Sequence, residues 1–126
     1  MALPSKLKRE LDELASYNIE VSEDSDFIYL VFNGFRLGSG YSAMASDLLL
    51  KIPRSYPDAG PDMFWVDPNL TLASGQIPQS AESIEAILGK QWRRFSWHRP
   101  GNGWNPTIDN LHSQIEFIQR RLREMK

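Results

Sequence analysis

The chain has 126 residues, a formal charge of −2 and no cysteine. This length predicts one domain, residues 1–126, whose core forms without disulfides or a structural metal. The missing cysteine excludes zinc fingers, iron–sulfur clusters and a thiol nucleophile. A charge near zero gives no sign of bulk binding to nucleic acid or membranes, and the N-terminus lacks the apolar core of a secretory signal. We therefore expect a cytoplasmic protein without a membrane span.

Hydrophobic spacing predicts a helix at each end of the chain. In residues 5–17, Leu7, Leu11 and Leu14 recur at helical spacing with charged residues between them. Residues 107–124 show the same pattern more strongly, with apolar positions at Ile108, Leu111, Ile115, Ile118 and Leu122. The basic side chains near the end of this second helix suit the helix dipole and are expected to be solvated; they are Arg120, Arg121 and Arg123.

Strand-forming residues fill much of the chain between the helices. Residues 19–21, 27–36, 41–52 and 63–66 are rich in β-branched and aromatic types and are separated by polar or glycine-bearing turns, so they predict a four-stranded antiparallel meander. Residues 67–104 predict a long irregular segment with only a brief helical possibility at 82–88. Strands grouped between two helices indicate an α+β fold in which the helices cover one face of the sheet.

Four prolines lie within residues 52–68, at Pro53, Pro57, Pro61 and Pro68. Because proline fixes φ and cannot donate to a strand ladder, the chain must leave the third strand as a rigid extended turn before the fourth begins. Tyr56 in that turn is expected to pack its ring on the domain and to donate its hydroxyl to a loop carbonyl.

Basic and aromatic side chains are mixed in residues 90–106, which contain Lys90, Arg93, Arg94 and Arg99 together with Trp92, Phe95, Trp97 and Trp104. Such a mixture can stack single-stranded bases over a basic groove. The alternative is a loop anchored by its tryptophans, with basic residues that are solvated or meet an acidic protein partner. We expect partner-binding residues on this segment and on the first helix, namely Trp92, Arg93, Arg94, Trp97, Trp104, Lys8 and Arg9.

Ser96, His98 and Asp109 are the residue types of a hydrolytic triad. The glycines of a nucleophile elbow are missing around the serine, so the pattern is weak evidence for a hydrolase. Only His98 and His112 are available as imidazole ligands, and no carboxylate spacing complements them. We expect neither a metal site nor another cofactor.

The order of these features resembles the ubiquitin-conjugating (UBC-like) fold over residues 5–122. Tyr56-Pro57, followed by Pro61, is similar to the Tyr-Pro turn that leads into the last meander strand of that family. Trp104-Asn105-Pro106 is similar to the Trp-x-Pro motif that opens the helix after the long active-site segment. More narrowly, YPDAGPDMFWVDP and WNPTIDNLHSQI resemble the bacterial group called prokaryotic UBC-like family E, which is associated with bacterial ubiquitin-like modification gene clusters.

The resemblance fails at the catalytic residue. In this family the cysteine commonly lies eight positions before the tryptophan of Trp-x-Pro, and Ser96 stands there. The His-Pro-Asn motif has no match upstream of Ser96; His98, Pro100 and Asn102 follow it, so the role of the oxyanion-stabilising asparagine passes to no residue. A serine hydroxyl is essentially un-ionised at neutral pH and an oxyester is more inert than a thioester. Ser96 therefore cannot perform ordinary relay chemistry unaided.

Three explanations are open for the serine. It is an engineered replacement of a native cysteine, or it is natural and the protein is a non-catalytic binding subunit, or it is natural and active with His98 as general base in an acyl transfer. Ser96 and His98 are two residues apart, so they point the same way in an extended segment without necessarily touching. Both are candidate catalytic residues.

The resemblance implies a component of a bacterial ubiquitin-like conjugation pathway. Its implied partners are a ubiquitin-like protein and a ubiquitin-activating-type enzyme, with a deubiquitinase-type peptidase of the same pathway as a further one. The alternatives are a stand-alone module that binds a peptide or nucleic acid through residues 90–106, and a small Ser/His acyl-transfer enzyme or hydrolase.

Overall fold

The computed structural model describes residues 3–100 and 103–126, and over these two ranges it contains two helices and an antiparallel sheet of six strands. The helices are α1 (Ser5–Glu13) and α2 (Leu111–Arg123), and the strands are β1 (Ile19–Glu23), β2 (Phe27–Arg36), β3 (Ala45–Pro53), β4 (Phe64–Val66), β5 (Ile84–Ile87) and β6 (Lys90–Phe95). The strand order is β1-β2-β3-β4-β6-β5. The predicted α+β class is confirmed, whereas the predicted four-stranded sheet is wrong.

The two unpredicted strands form a hairpin that extends the sheet beyond β4. Ile87 pairs with Lys90, so the connecting loop is Leu88 and Gly89, with φ values of 55° and 73°. Two successive positive φ values are the geometry of the tight turn that matches strand twist. The helical possibility at 82–88 is therefore wrong. Leucine at the first turn position hid the hairpin, because the usual sequence signal there is asparagine or aspartate.

Each face of the sheet has its own apolar cluster. The inner face packs against both helices through Leu7 of α1 and, from α2, Leu111, Ile115, Ile118 and Leu122. Each such side chain contributes about 1.5 to 3 kcal/mol when fully buried. The outer face, on the side away from the helices, has a second cluster formed by Tyr29, Val31, Leu49, Trp65, Ile87 and Trp92. Alternation along β2, β3, β4 and β6 explains the division, since successive side chains point to opposite faces.

Helix α2 begins four residues later than predicted, at Leu111 instead of residue 107. Side chains before it bind the backbone in non-helical turns: the Asn105 side-chain oxygen accepts from the backbone N–H of Thr107. Asn110 then caps the helix, accepting from the Ser113 N–H while the Ser113 hydroxyl accepts from the Asn110 N–H. Ile108, predicted on the apolar face, is consequently 73% exposed.

A buried glutamate on α1 connects the three parts of the chain that meet on the inner side of the sheet. Glu10 is 3% exposed, and its Oε1 accepts from the Tyr56 hydroxyl at 2.6 Å and from the Leu111 backbone N–H at 2.7 Å. Leu111 is the first residue of α2, so the carboxylate also lies at the positive end of that helix. The acceptor for Tyr56 is thus Glu10 rather than the loop carbonyl that the sequence predicted.

The Tyr56→Phe substitution tests this connection. Removing the hydroxyl leaves Glu10 with one hydrogen bond fewer, and hydrogen bonds to charged groups contribute about 1.5 to 3 kcal/mol. We expect a loss of that size in the free energy of unfolding, measured by urea denaturation. Tyr17→Phe is the matched control, because the Tyr17 hydroxyl makes no hydrogen bond with the described residues. Equal stability of the two variants would contradict the role given to Glu10.

The hydrogen bond between Tyr56 and Glu10 also predicts how the stability of the protein depends on pH. Burial, and then the hydrogen bond to Glu10, raise the pKa of Tyr56 well above its ordinary value. Above about pH 10 the unfolded chain loses the phenol proton while the folded chain retains it, so the contribution of Tyr56 to stability falls as the pH rises. The stability difference between the wild type and Tyr56→Phe should therefore narrow between about pH 9 and about pH 11. A difference that stays constant over this range would refute the prediction.

Candidate functional site

The two motifs that suggested the fold are in direct contact. The Tyr56 and Trp104 rings lie with their centroids 5.6 Å apart, and the Trp104 indole N–H donates to the Pro57 carbonyl at 2.8 Å. The peptide bond before Pro57 is cis. Pro61 is buried, whereas Pro106 is exposed in the turn before α2. The Tyr-Pro turn and the Trp-x-Pro segment thus form one anchor beneath the candidate site.

Gly60 allows the Trp104 ring to pack directly against the backbone of the Tyr-Pro turn. A Cβ placed on Gly60 would lie 2.0 Å from Cδ2 of Trp104, well inside van der Waals contact, so the indole ring covers the position where any other side chain would begin. The sequence motif gave no indication of this requirement, since glycine in a proline-rich turn usually signals backbone freedom.

Ser96 directly follows β6, and its position is fixed on two sides. Its backbone N–H donates to the Ser80 carbonyl at 2.9 Å, and its Oγ accepts from Arg94 Nε at 2.9 Å. Arg94 in turn forms an ion pair with Glu85 at 2.8 Å. Ser96 is therefore held at the end of a paired strand, whereas the sequence placed it in a long irregular segment.

The His98 side chain is hydrogen-bonded to Asp62 instead of Ser96. Its Nδ1 lies 2.8 Å from Asp62 Oδ1, and both side chains are more than half exposed. No hydrogen bond joins the imidazole to Ser96 within residues 3–100 and 103–126. Asp109, the third residue of the candidate triad, binds Arg99 instead at 2.9 Å. The structure thus brings none of the three candidate triad residues together.

The basic residues of the 90–106 segment have partners inside the protein. Lys90 lies 3.1 Å from Asp47 and 3.5 Å from Asp67; burial opposes its charge, but these carboxylates outweigh burial and raise its pKa. Arg93 is 7% exposed and donates to the carbonyls of Ala81 and Pro68.

Arg99 fastens the segment after Ser96 to α2. Besides the ion pair with Asp109, its guanidinium donates to the side-chain oxygens of Gln114 at 2.9 Å and Ser113 at 3.3 Å. Its side chain is only 14% exposed, and it also lies over the Trp104 ring. Arg99 therefore serves the internal packing of this segment.

Arg121 was expected to be solvated and is instead 1% exposed. Its guanidinium lies 4.5 Å from the ring centroid of Trp97, and its Nη2 donates to the carbonyls of Gln79 and Lys126. Burial lowers its pKa. The signal that could have identified it is its spacing, because Arg121 lies three residues after Ile118 on the buried face of α2.

The candidate partner-binding residues differ in how much of each side chain is exposed to solvent. Trp92 is 2% exposed and its indole N–H donates to the Ile87 carbonyl, so it packs the outer face of the sheet and has little surface for a partner. Trp97 and Trp104 are half-buried. Lys8 and Arg9 are exposed on α1. Asn102, which follows His98 in the sequence pattern, lies outside the described residues.

Residues 3–100 and 103–126 hold no group of three or more His, Cys, Asp or Glu side chains arranged to bind a metal ion. Neither described helix has the length and apolar composition needed to cross a bilayer.

Comparison with known proteins agrees with the arrangement of elements and motifs. The sequence profile of prokaryotic E2 family E matches residues 3–125, and the chain belongs to this family. Membership suggests involvement in a bacterial ubiquitin-like conjugation pathway, and it implies in general that such proteins interact with ubiquitin-like proteins and activating enzymes. No curated protein and no solved structure matches the chain.

Substituting Gly60 tests the anchor formed by the two motifs. A methyl group at Gly60 must displace the Trp104 ring, and overpacking of this kind costs about 1 to 3 kcal/mol. We expect Gly60→Ala to lower the free energy of unfolding by that amount in urea denaturation, whereas Ala59→Ser, at an exposed neighbouring position, should leave it unchanged. If Gly60→Ala has the same free energy of unfolding as the wild type, close packing of the indole ring on Gly60 is not required for stability.

Proposed function

We propose that this protein is a non-catalytic binding component of a bacterial ubiquitin-like conjugation pathway, engaging the ubiquitin-like protein, its activating enzyme or both. A deubiquitinase-type peptidase of the same pathway is a further candidate partner. The observation behind the proposal is the state of the Ser96 hydroxyl, which accepts a hydrogen bond from Arg94 and has no base beside it within the described parts of the chain.

Acyl transfer to a serine needs a base that removes the hydroxyl proton as Oγ attacks the carbonyl carbon. The imidazole of His98 is hydrogen-bonded to Asp62 and does not meet Ser96. The Arg94 guanidinium has hydrogen-bond donors and no acceptor, so it cannot take the hydroxyl proton. This arrangement orients the hydroxyl without activating it, which favours binding over catalysis.

The exposed candidate residues on α1 and after Ser96 support a protein as the ligand. Lys8 and Arg9 are exposed on α1 and form no ion pair within the described residues, so they are available to acidic side chains of a partner. His98 is also exposed, at the end of the segment that Arg99 fastens to α2.

A single-stranded nucleic acid ligand has less support. A phosphate groove requires cations that are free to replace counterions, but Lys90, Arg94 and Arg99 are each paired with a carboxylate. Trp92 is buried and cannot stack on a base. These pairings and the burial of Trp92 disfavour single-stranded nucleic acid as the ligand of this segment.

Reconstitution with the ubiquitin-like protein, the activating enzyme and ATP tests the proposal. We expect wild type and Ser96→Ala to bind one of the two proteins with the same affinity, within about twofold by calorimetry. Neither should form a covalent adduct. A hydroxylamine-labile adduct that disappears in Ser96→Ala would establish an active serine and overturn the non-catalytic role. Absence of both binding and adduct would overturn the pathway assignment.

A cysteine variant tests whether position 96 has the geometry of a transfer site. Ser96→Cys places a thiol beside Arg94, whose charge favours the thiolate. With the activating enzyme and ATP present, we expect the thiolate to take the ubiquitin-like protein from its thioester with that enzyme, releasing the enzyme's thiol and giving a thiol-sensitive adduct on the variant. Ser83→Cys is the matched control, because Ser83 also meets the Arg94 guanidinium, at 3.4 Å. An adduct on Ser83→Cys alone, or equally on both variants, would show that position 96 is not special.

A further inference from the structure

Strand β5 forms one edge of the sheet, with β6 on one side and no strand on the other among the described residues. The backbone N–H of Arg94 donates to the Ser83 carbonyl at 2.9 Å, so these two residues form a hydrogen-bonded pair. Hydrogen-bonded and non-hydrogen-bonded pairs alternate along an antiparallel ladder, and residues of the second kind direct their N–H and C=O away from the partner strand. Ile84 and Ala86 are therefore the residues of β5 whose backbone groups point outward from the sheet edge.

The outward side of β5 is open to a further strand. No side chain or loop within residues 3–100 and 103–126 is hydrogen-bonded to the N–H or C=O of Ile84 or Ala86. Both residues are exposed, Ile84 at 44%, and Leu88 in the turn that follows is 51% exposed. This side of β5 thus combines two backbone donors and two acceptors with apolar side chains, and such an edge is a template for another extended chain.

The opposite edge of the sheet is protected by charge, whereas the β5 edge is not. Strand β1 carries exposed Glu20 and Glu23 among its five residues, and charged side chains on an edge strand discourage pairing with another chain. Glu85 is the charged residue of β5, and its carboxylate already forms the 2.8 Å ion pair with Arg94. Of the two edges, β5 is therefore the one that admits a neighbouring strand.

We propose that β5 pairs antiparallel with β5 of a second copy of this chain, so that the two six-stranded sheets become one continuous sheet. A second copy fits because the edge is self-complementary. With Glu85 at the two-fold axis, Ile84 of each copy lies opposite Ala86 of the other. Opposite residues of this kind exchange both N–H···O=C bonds, so four hydrogen bonds use all the outward groups of both strands.

The side chains agree with this register. Ile84 of one copy meets Ala86 of the other, which covers exposed apolar surface on one face of the sheet. A register displaced toward the hairpin turn would pair Ile84 with Leu88, whose φ of 55° is not that of a strand. On the other face the two Glu85 side chains come opposite each other. Each is held by the Arg94 of its own copy, and this pairing offsets the repulsion between the two carboxylates.

The assembly state of the whole protein at different concentrations tests the proposal. Because β5 has four residues, the contact is smaller than the about 800 Å² per partner of a standard stable interface. We therefore expect a weak dimer, with a dissociation constant of about 10 to 200 µM by sedimentation velocity. In ¹⁵N-labelled protein, hydrogen exchange at the Ile84 and Ala86 amides should slow at least about threefold between about 10 µM and about 2 mM protein.

Two variants act on this edge without removing the backbone bonds between β5 and β6. Ala86→Pro deletes an outward N–H, and proline is tolerated at such a position of an edge strand. Ile84→Lys places a charge on the free side. Each should weaken dimerisation at least about tenfold. Ile108→Lys makes the same change at an isoleucine that is 73% exposed outside the sheet, and it should leave the dissociation constant unchanged. The dispersion of each variant's NMR spectrum verifies that it is folded.

Three results would overturn the proposal: a monomer at about 2 mM, dimerisation of both edge variants with the wild-type dissociation constant, or exchange at the Ile84 and Ala86 amides that does not depend on concentration. If Ala86→Pro does not fold, Ile84→Lys alone decides the second result. A monomer whose Ile84 and Ala86 amides become protected only when the ubiquitin-like protein is added would reject a second copy in favour of a strand from that partner. The dimerisation measurements use the protein alone, so their failure would leave the proposed pathway function untouched.

Discussion

The buried Glu10 side chain is the constraint on which the rest of this structure depends. A carboxylate that is 3% exposed is costly to place in an apolar core unless donors meet it. Here the donors come from two distant parts of the chain, the Tyr56 hydroxyl and the backbone N–H of Leu111. Since the need for both donors fixes α1, the turn before β4 and the start of α2 relative to one another, one residue sets the geometry of three elements.

The candidate site lies at the far end of the segments that Glu10 positions. Tyr56 supports Trp104, and Trp104 closes over Gly60. Arg99 lies over the same indole and fastens the chain after Ser96 to α2. The described parts of the segment that would surround a reactive cysteine in a related fold are thus held in place by packing and hydrogen bonds. The sequence has no thiol, and among the described residues no base is hydrogen-bonded to Ser96.

Much of the architecture could be predicted because its signals are local. The apolar spacing of α1, the strand-forming runs of β1 to β4 and the order of the two proline motifs depend on neighbouring residues alone. The β5–β6 hairpin could not be predicted because its turn uses Leu88, a residue with little preference for positive φ. Arg121 was misjudged because its charge and its place in the last turns of α2 favoured solvation, although its spacing after Ile118 put it on the buried face; its contact with Trp97, 24 positions away, is not visible in the sequence.

The sequence predicts the position of the candidate site but not the contacts that its residues make. The eight-residue spacing to Trp104 located Ser96. It could not reveal that Arg94 donates a hydrogen bond to the Ser96 hydroxyl or that His98 is hydrogen-bonded to Asp62. The first contact joins residues two positions apart in one extended segment, so the sequence permits it without requiring it. The second joins residues 36 positions apart and depends on the path of the proline-rich turn, which is a long-range property.

The β5–β6 hairpin limits which insertions and deletions leave the Ser96 side chain on the same face of the sheet. Because Ser96 follows a paired strand, the face to which its side chain points is set by the alternation along β6, and a single-residue insertion within β6 that kept the pairing of its first half would turn that side chain toward the helices. A length change within β6 therefore preserves the direction of the Ser96 side chain only when it adds or removes two residues or is absorbed by a β-bulge.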